Sequence, residues 1–286
     1  MESPYTNAKQ IDGEPSKLQR LFKIMIFVSA IVISCAAIYT LIAFIRTEKN
    51  TTLEVTLPYG TLNDLTNPEV FTQAYLAVNC NATLLENTQT IRVTGHIVNG
   101  DHKQAFSLIK KRPDLMLFTI DRGSHEMTFG VSDDTVWRRI RAPQNDDQFA
   151  QIEGQEAKAW MEQRRFFDRI ISASLGEGHI TGIEATIWKG TDCLKVSIQD
   201  TDGEAVETLV SPHTMYIIAE LETQADGTIK QTVFSDYREI DGMPLSFKME
   251  SSINGEVGSL IILDAASLNS GVLSKLFDTP EALLAK

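Results

Sequence analysis

The sequence predicts an α+β protein in which a single N-terminal transmembrane helix precedes a large, curved antiparallel sheet, with helices covering or plugging the concave face of that sheet. Three observations predict this fold class. Many short runs alternate apolar and polar residues with the two-residue period of strands. Turn residues such as Asn-Gly and Asp-Gly separate these runs, and one long apolar stretch near the N terminus carries no charge. The number and length of the runs indicate an unclosed β-barrel of about 11–12 strands.

The apolar stretch is Ile24–Ile45, which contains 22 residues without a charge. At ~1.5 Å per residue, a helix of this length spans the hydrocarbon core of a bilayer. More basic residues precede the stretch than follow it; those before it are Lys9, Lys17, Arg20 and Lys23. The positive-inside rule therefore predicts a cytoplasmic tail in residues 1–23, a transmembrane helix in residues 24–45 and an exported remainder.

A second interpretation of the same stretch stays open. The residues Val32–Cys35 resemble the cleavage site of a bacterial lipoprotein signal, after which Cys35 would carry the lipid. However, ten more apolar residues follow Cys35, where such proteins normally have a polar tether. Both interpretations attach the domain to a membrane.

Residues 46–67 are mostly polar and are expected to form a tether, so the folded domain is expected to span residues 68–286. Asn67 followed by Pro68 is typical of a helix start, with asparagine as the N-cap and proline at the first helical position. Apolar residues then recur at helical spacing up to Val78. This helix is expected to end near Cys80 or to continue to Leu85.

The strand pattern begins at Ile91 and continues through the hairpin signal Asn99-Gly100. A meander follows from Phe106 to Trp137, because turn chemistry separates three apolar-rich runs there. Seven further strands are expected after Gly176. They are 183–188, 193–198, 205–211, 215–221, 228–237, 245–253 and 257–263.

The middle of the chain interrupts this strand pattern. Residues 142–156 are polar and acidic, so they are expected to form a surface loop. Residues 157–174 have helical periodicity and a broad apolar face, which predicts a lid or plug over the sheet. A groove between this helical segment and the sheet would suit apolar ligands. The residues expected to line it are Ile91, Val93, Phe106, Leu108, Met116, Phe118, Ile120, Met127, Phe129, Trp137, Trp160, Phe166, Phe167 and Ile170.

The sequence contains no pattern that indicates catalysis, a metal or a cofactor. The five histidines are scattered, and no nucleophile elbow, P-loop or dinucleotide fingerprint occurs. The net charge of −12 disfavours a nucleic acid partner, because phosphates repel a protein of that sign. Cys80 and Cys193 could form a disulfide in an exported domain or remain buried thiols, and both alternatives stay open.

Two parts of the sequence resemble a known family. The run Ile109-Lys110-Lys111-Arg112-Pro113-Asp114-Leu115, which follows a hairpin that ends in glycine, resembles part of the periplasmic lipoprotein carriers of the LolA/LolB type. The Asp133 turn and Trp137 come after it in the same order. The C-terminal run Phe234–Arg238, followed by Asp241-Gly242, Pro244 and the stretch from Asn269 to Pro280, also resembles LolA-like outer-membrane lipoprotein-sorting proteins. The resemblance covers roughly residues 68–280.

This resemblance implies an unclosed β-barrel with a helical lid over a hydrophobic cavity for acyl chains. Arg112 matches the arginine of the family's Lys-Arg-Pro motif, which hydrogen-bonds backbone carbonyls of the lid and keeps it shut. A guanidinium offers five donors in a fixed fork, which suits this role. The alternative is that Arg112 only caps a turn.

The expected function is therefore that of an inner-membrane-anchored, periplasmic protein that binds acyl chains of a lipid or lipoprotein. Its expected role is lipoprotein sorting or transfer to the outer membrane, without enzymatic activity or cofactors. The alternative is an RseB-like envelope sensor that binds a lipid or mislocalised lipoprotein in the same cavity and acts on an envelope protein partner.

Overall fold

The computed structural model describes residues 61–280, except for Asp202, Glu204, Ala225 and Asp226. In these residues, thirteen strands form one antiparallel sheet. The strands are β1 (Thr90–Asn99), β2 (His102–Lys111), β3 (Leu115–Asp121), β4 (Glu126–Ser132), β5 (Thr135–Arg141), β6 (Gln148–Ile152), β7 (His179–Trp188), β8 (Thr191–Gln199), β9 (Ala205–Val210), β10 (Ile217–Thr223), β11 (Ile229–Ile240), β12 (Met243–Ile253) and β13 (Glu256–Leu268). The helices are α1 (Pro68–Asn79), α2 (Ala82–Asn87), α3 (Gly154–Gln163) and α4 (Arg169–Ser174), and short 3₁₀ turns occupy Asp64–Thr66 and Ser274–Phe277.

The sheet consists of two meanders that meet at one pair of strands. Its order is β6-β5-β4-β3-β2-β1-β13-β12-β11-β10-β9-β8-β7, so β6 and β7 are the two edges and the barrel is unclosed. We call β1 to β6 the first half and β7 to β13 the second half. Tight turns join neighbouring strands; at Asn254-Gly255 both residues have positive φ, which matches the twist of a hairpin.

The topology explains why helices cover one face of the sheet. Because β6 and β7 lie at opposite edges, the chain between them must cross the sheet, and α3 and α4 form this crossing. α3 packs against β5, whereas α4 packs against β7, β8 and α1. A twisted sheet of more than about ten strands curls. We call the helices α1 to α4, with residues 164–168, the cover of the concave face.

The sequence prediction of the fold class was wrong in the number of strands. The sheet has 13 strands rather than about 11–12, because β6 forms within the segment interpreted as a surface loop. The helical segment expected over 157–174 forms two short helices, α3 and α4, separated by residues 164–168. The helix start at Asn67 is confirmed, since the Asn67 side chain accepts hydrogen bonds from the backbone amides of Glu69 and Val70.

The transmembrane part of that prediction also requires correction. Among residues 61–280, so far as they are described, no helix is long and apolar enough to cross a membrane; the 12 residues of α1 make the longest helix there. We therefore withdraw the prediction of a single-pass inner-membrane protein with its main domain in the periplasm. The segment Ile24–Ile45, the tail before it, most of the tether and the signal at Cys35 lie outside the described residues.

The two described cysteines do not form a disulfide; both are buried and free. Cys80 belongs to the main hydrophobic core, which also contains Leu194. Since Cys193 precedes Leu194 on β8, its side chain points to the opposite face of the sheet. The two thiols therefore lie on different sides of the sheet.

Candidate functional site

The concave face of the first half is built from strand residues in register. Phe118 lies opposite Leu108 on one neighbouring strand and Phe129 on the other. Because directly opposed residues share a face, alternate residues of β1 to β5 form a continuous apolar surface. Trp160 of α3 covers the centre of this surface. Its ring stacks on Phe129 with a centroid separation of 4.3 Å and lies 5.8 Å from the ring of Phe118.

The structure brings thirteen of the fourteen predicted groove residues into one core cluster. None of the fourteen is more than 6% exposed. Phe166 and Phe167 lie between α3 and α4 and contact each other edge to face, at 5.0 Å between centroids. In the described structure the protein's own side chains, above all Trp160, therefore occupy the place predicted for a ligand.

Trp137 is the exception, because it lies on the convex face. It is opposite Gly130 on β4, whereas the residues on either side of Gly130 are Phe129 and Val131, which belong to the core. A methyl group on Gly130 would lie 2.1–2.5 Å from the indole ring, so that ring rests directly on Gly130. The indole nitrogen donates to the backbone oxygen of Phe277 at 3.4 Å. We therefore leave Trp137 out of the candidate site.

Two basic residues at the end of β2 fasten the cover to the sheet. Lys110 is fully buried, and its ammonium group donates to the backbone oxygen of Arg165, between α3 and α4. Arg112 donates from its guanidinium to the backbone oxygen of Leu85 in α2, at 2.6 Å, and its guanidinium lies 5.3 Å from the ring centre of Phe167. We call Lys110 and Arg112 the latch.

The lysine between them is bound to a different segment. Lys111 donates to the backbone oxygen of Val272 at 2.8 Å, in the segment that follows β13. The peptide bond between Arg112 and Pro113 is cis. The sequence resemblance singled out Arg112 as a donor to backbone carbonyls, but it did not identify Lys110. A lysine in phase with the apolar residues Phe106 and Leu108 of β2 was the available signal.

The cover is also joined to itself through a buried carboxyl group. Asp168 accepts a hydrogen bond from the backbone amide of Ile171 at 2.6 Å, which caps α4, and a short hydrogen bond joins it to the hydroxyl of Tyr75 in α1. Burial raises the pKa of Asp168 well above its usual range, against the effect of these hydrogen bonds. The pKa of the Cys80 thiol is raised to about 12, mainly by burial and to a smaller extent by the nearby charge of Asp168.

Two arginines of the cover pair with one aspartate. The Asp200 carboxylate lies 3.0 Å from the guanidinium of Arg169 and 3.5 Å from that of Arg165. Burial, and then the neighbouring charge of Arg169, lower the pKa of Arg165. Residues 61–280, within their described part, contain no cluster of histidine, cysteine and carboxylate residues that could hold a metal ion.

Comparison with known proteins identifies the fold. No family model and no curated protein sequence matches this chain. A solved DUF1329 family protein from Desulfovibrio piger aligns with a TM-score of 0.53 and 17% identity, over 74% of this chain and 98% of that one. A LolA superfamily protein from Nitrosomonas europaea aligns with a TM-score of 0.51 and 13% identity, over 73% of this chain and 97% of that one.

A more distant alignment is to the Pseudomonas aeruginosa MucA/MucB complex, with a TM-score of 0.26, 9% identity, and coverage of 74% of this chain and 62% of that one. That similarity is too low to carry an argument. The two closer alignments, together with the unclosed sheet and its helical cover, confirm the expected resemblance at the level of the fold. The chain has a LolA-like fold.

Proposed function

We propose that this protein binds the acyl chains of a lipid or lipoprotein on the concave face of β1 to β5, without catalysing a reaction. The observation that carries the proposal is how the apolar face is closed. Short helices cover it, and the latch holds them through single side chains that donate to backbone carbonyls. Such a cover can open while the hydrogen bonds of the sheet stay intact.

The energy of opening is within reach of an acyl chain. Withdrawing Trp160 exposes roughly 200 Å² of apolar surface, which costs about 5 kcal/mol. Burying one methylene group regains about 0.8 kcal/mol. About six or seven buried methylene groups therefore compensate for the loss of Trp160 from the concave face, fewer than a fatty acyl chain contains.

The hydrogen bonds of the latch make a second contribution to the energy needed to open the cover. A hydrogen bond from a charged donor contributes about 1.5–3 kcal/mol, so the bonds made by Lys110 and Arg112 hold the cover without making it permanent. The concave face behind the cover is apolar, and an acyl chain needs no other chemistry. The basic groups of the latch thus regulate access, whereas the apolar residues provide the affinity.

The biological role that we propose is sorting or transfer of lipoproteins to the outer membrane. The LolA-like fold supports it, since one of the aligned structures is a LolA superfamily protein. The alternative role of an envelope sensor, with a protein as its partner, stays a prediction. Identification of what co-purifies with the protein distinguishes them: lipoproteins support transfer, and a signalling protein supports the sensor.

The experiment that tests binding uses Arg112→Leu in the full-length chain. We expect release of a fluorescent fatty-acyl probe to become roughly ten-fold faster, because losing one charged hydrogen bond of the closed cover costs at least about 1.4 kcal/mol. Stopped-flow displacement measures the rate. The matched control is Arg92→Leu, which removes an exposed arginine from the same region of β1 and should leave release unchanged. Absence of probe binding to the wild-type protein refutes the binding function, and equal release rates in both variants refute the latch.

A further inference from the structure

A row of polar side chains crosses the second half of the sheet. Residues of five neighbouring strands, β9 to β13, lie opposite one another in register. We call them the polar row: Thr208, Glu220, Thr232, Ser251 and Ser259. All five are buried, with Glu220 the most exposed at 7%.

The polar row lies on the covered, concave face. Thr232 is two residues from Phe234 on β11, so their side chains share a face. Phe234 lies opposite Met249, which lies opposite Ile261, and all three belong to the hydrophobic core. The row therefore continues the same surface that is apolar in the first half.

One hydroxyl group of the polar row has no hydrogen-bonding partner. Ser251 and Ser259 satisfy each other, with 2.9 Å between their hydroxyl oxygens. The hydroxyl of Thr208 is buried without a partner. The buried carboxyl group of Glu220 lies near the cations Arg169, Lys230 and Arg165. A buried hydroxyl group without a partner costs about 1–3 kcal/mol, so a ligand that hydrogen-bonds to Thr208 would gain this energy.

The charges around Glu220 indicate what it can accept. The nearby cations are already engaged, since Arg165 and Arg169 pair with Asp200, and Lys230 pairs with Glu222 at 2.9 Å. Burial raises the pKa of Glu220, while Arg169 and Lys230 oppose this effect. A ligand that donates hydrogen bonds, and above all a primary ammonium group, would satisfy the carboxyl group and favour its ionised form.

The distance across the sheet from β10 to β1 matches the length of one lipid molecule. Four steps between neighbouring strands separate β10 from β1. At about 4.8 Å per step, they span about 19 Å. One leaflet of a bilayer measures about 15 Å of hydrocarbon and about 5–7 Å of headgroup region. A lipid whose headgroup lies at the polar row therefore extends across β11 to β13 and reaches β1, the first strand of the acyl-chain face.

We propose that the polar row is a subsite for a lipid headgroup. Glu220 and Thr208 accept hydrogen bonds from the primary ammonium group of an aminophospholipid. This inference rests on the proposed acyl-chain binding and specifies its ligand class. The headgroup lies against β9 to β11, and the chains extend from there across the concave face to β1. Lipids whose nitrogen is fully methylated have no hydrogen to donate and bind less well.

The test compares two phospholipids with identical short acyl chains, a phosphatidylethanolamine and a phosphatidylcholine, as competitors of the fatty-acyl probe on the full-length chain. We expect the ethanolamine lipid to compete roughly ten-fold better, which corresponds to about 1.4 kcal/mol. Glu220→Gln should bring the two lipids to within about two-fold of each other, because the charged acceptor is lost. The control Glu250→Gln, an exposed glutamate of β12 paired with Lys248, should keep the preference.

Thr208→Val provides a second variant in case Glu220→Gln impairs folding. It removes a hydroxyl group that has no partner in the protein, so the fold should tolerate it. We expect the preference for the ethanolamine lipid to fall in this variant too. Equal competition by both lipids on the wild-type protein overturns the subsite, as does a preference that survives both substitutions. Failure of both lipids to displace the probe, or of the probe to bind, refutes the proposed acyl-chain binding instead.

Discussion

The two halves of the sheet share one concave face but differ in the chemistry they present to the cover. In the first half, Phe118 and Phe129 contact the indole of Trp160, and all three are nearly inaccessible. In the second half, the buried side chains of Glu220 and Thr208 face the same side, and the Thr208 hydroxyl has no hydrogen-bonding partner. Both halves pair antiparallel, although β7–β8, β9–β10 and β12–β13 of the second half contain register shifts. The side chains that alternate to the concave face differ between the halves.

This difference shows which contacts of the closed structure a ligand can replace. The contact of Trp160 with the sheet is non-directional, so another apolar group of similar area can substitute for it. The polar side chains of the second half, such as the unpartnered hydroxyl of Thr208, need a hydrogen-bonding group in a defined place instead. The comparison therefore predicts large stability effects in the first half and effects on ligand choice in the second.

The largest expected effect concerns the aromatic contact of the first half. Trp160→Ala removes a buried indole and leaves a cavity over Phe129, so the free energy of unfolding should fall by about 3–5 kcal/mol. Urea denaturation followed by circular dichroism measures it. An apolar ligand should regain part of this loss, because the vacated space lies on the concave face that we propose for acyl chains.

Trp188→Ala is the matched control in the second half. Trp188 ends the edge strand β7, is only half-buried and has Lys189 4.4 Å above its ring. Its loss should cost about 1 kcal/mol or less. If the two tryptophan variants lose equal stability, the first half is not the tightly packed region that the comparison requires.

The sequence predicted most of the sheet because local chemistry determines it. The alternation of Met116, Phe118 and Ile120 marks β3, and glycine turns such as Asn254-Gly255 mark the hairpins. β6 escaped prediction because its residues Gln148–Ile152 follow an acidic polar segment, and its strand form depends on pairing with β5. The strand order could not be predicted either, since the pairing of β1 with β13 joins residues distant in sequence.

The second prediction concerns the convex face of the first half. Gly130→Ala would place a methyl group 2.1–2.5 Å from the Trp137 ring, so the ring must shift away from Phe277. We expect a loss of about 1–3 kcal/mol in the free energy of unfolding, measured by urea denaturation. The control is Gly182→Ala on β7, where no atom lies within 4 Å of the added methyl group.

Equal stabilities of the two glycine variants would contradict the placement of Trp137 on Gly130. A loss confined to Gly130→Ala sharpens the comparison, because it shows that β4 is packed on both faces, whereas the edge strand β7 is not. Binding of the acyl probe should be unaffected by Gly130→Ala, since Trp137 lies outside the candidate site.

The candidate site was less predictable than the fold. Alternation along β2 to β4 correctly grouped the apolar residues, but the side of the sheet taken by Trp137 depends on its pairing with Gly130. The polar row was invisible in the sequence, because its five members come from five strands and meet only through register. Arg112 was found through a short motif, whereas its acceptor, the carbonyl of Leu85, carries no side-chain signal.

The last prediction uses pH to compare a buried carboxyl group of the cover with a half-buried one in the loop between β5 and β6. Burial raises the pKa of Asp168, whose neighbours are Tyr75 and Glu220. An unfolded aspartate ionises near pH 4, so in the native state Asp168 holds its proton to higher pH. Its contribution to stability is therefore complete below about pH 4 and declines as the pH rises towards the folded pKa. The asparagine side chain of the Asp168→Asn variant cannot ionise, so this variant should lack the decline in stability with rising pH.

Asp147 has the opposite sign and serves as the control. Its hydrogen bond with Arg141 lowers the pKa of the carboxyl group, so the stability it provides is present above about pH 4 and is lost as the pH falls. Urea denaturation at several pH values measures both differences from wild type. The stability advantage of the wild type over Asp168→Asn should shrink with rising pH, whereas its advantage over Asp147→Asn should grow. A difference between wild type and Asp168→Asn that does not change with pH would mean that Asp168 ionises in the native state as it does in water, and that the cover does not exclude water from this carboxyl group.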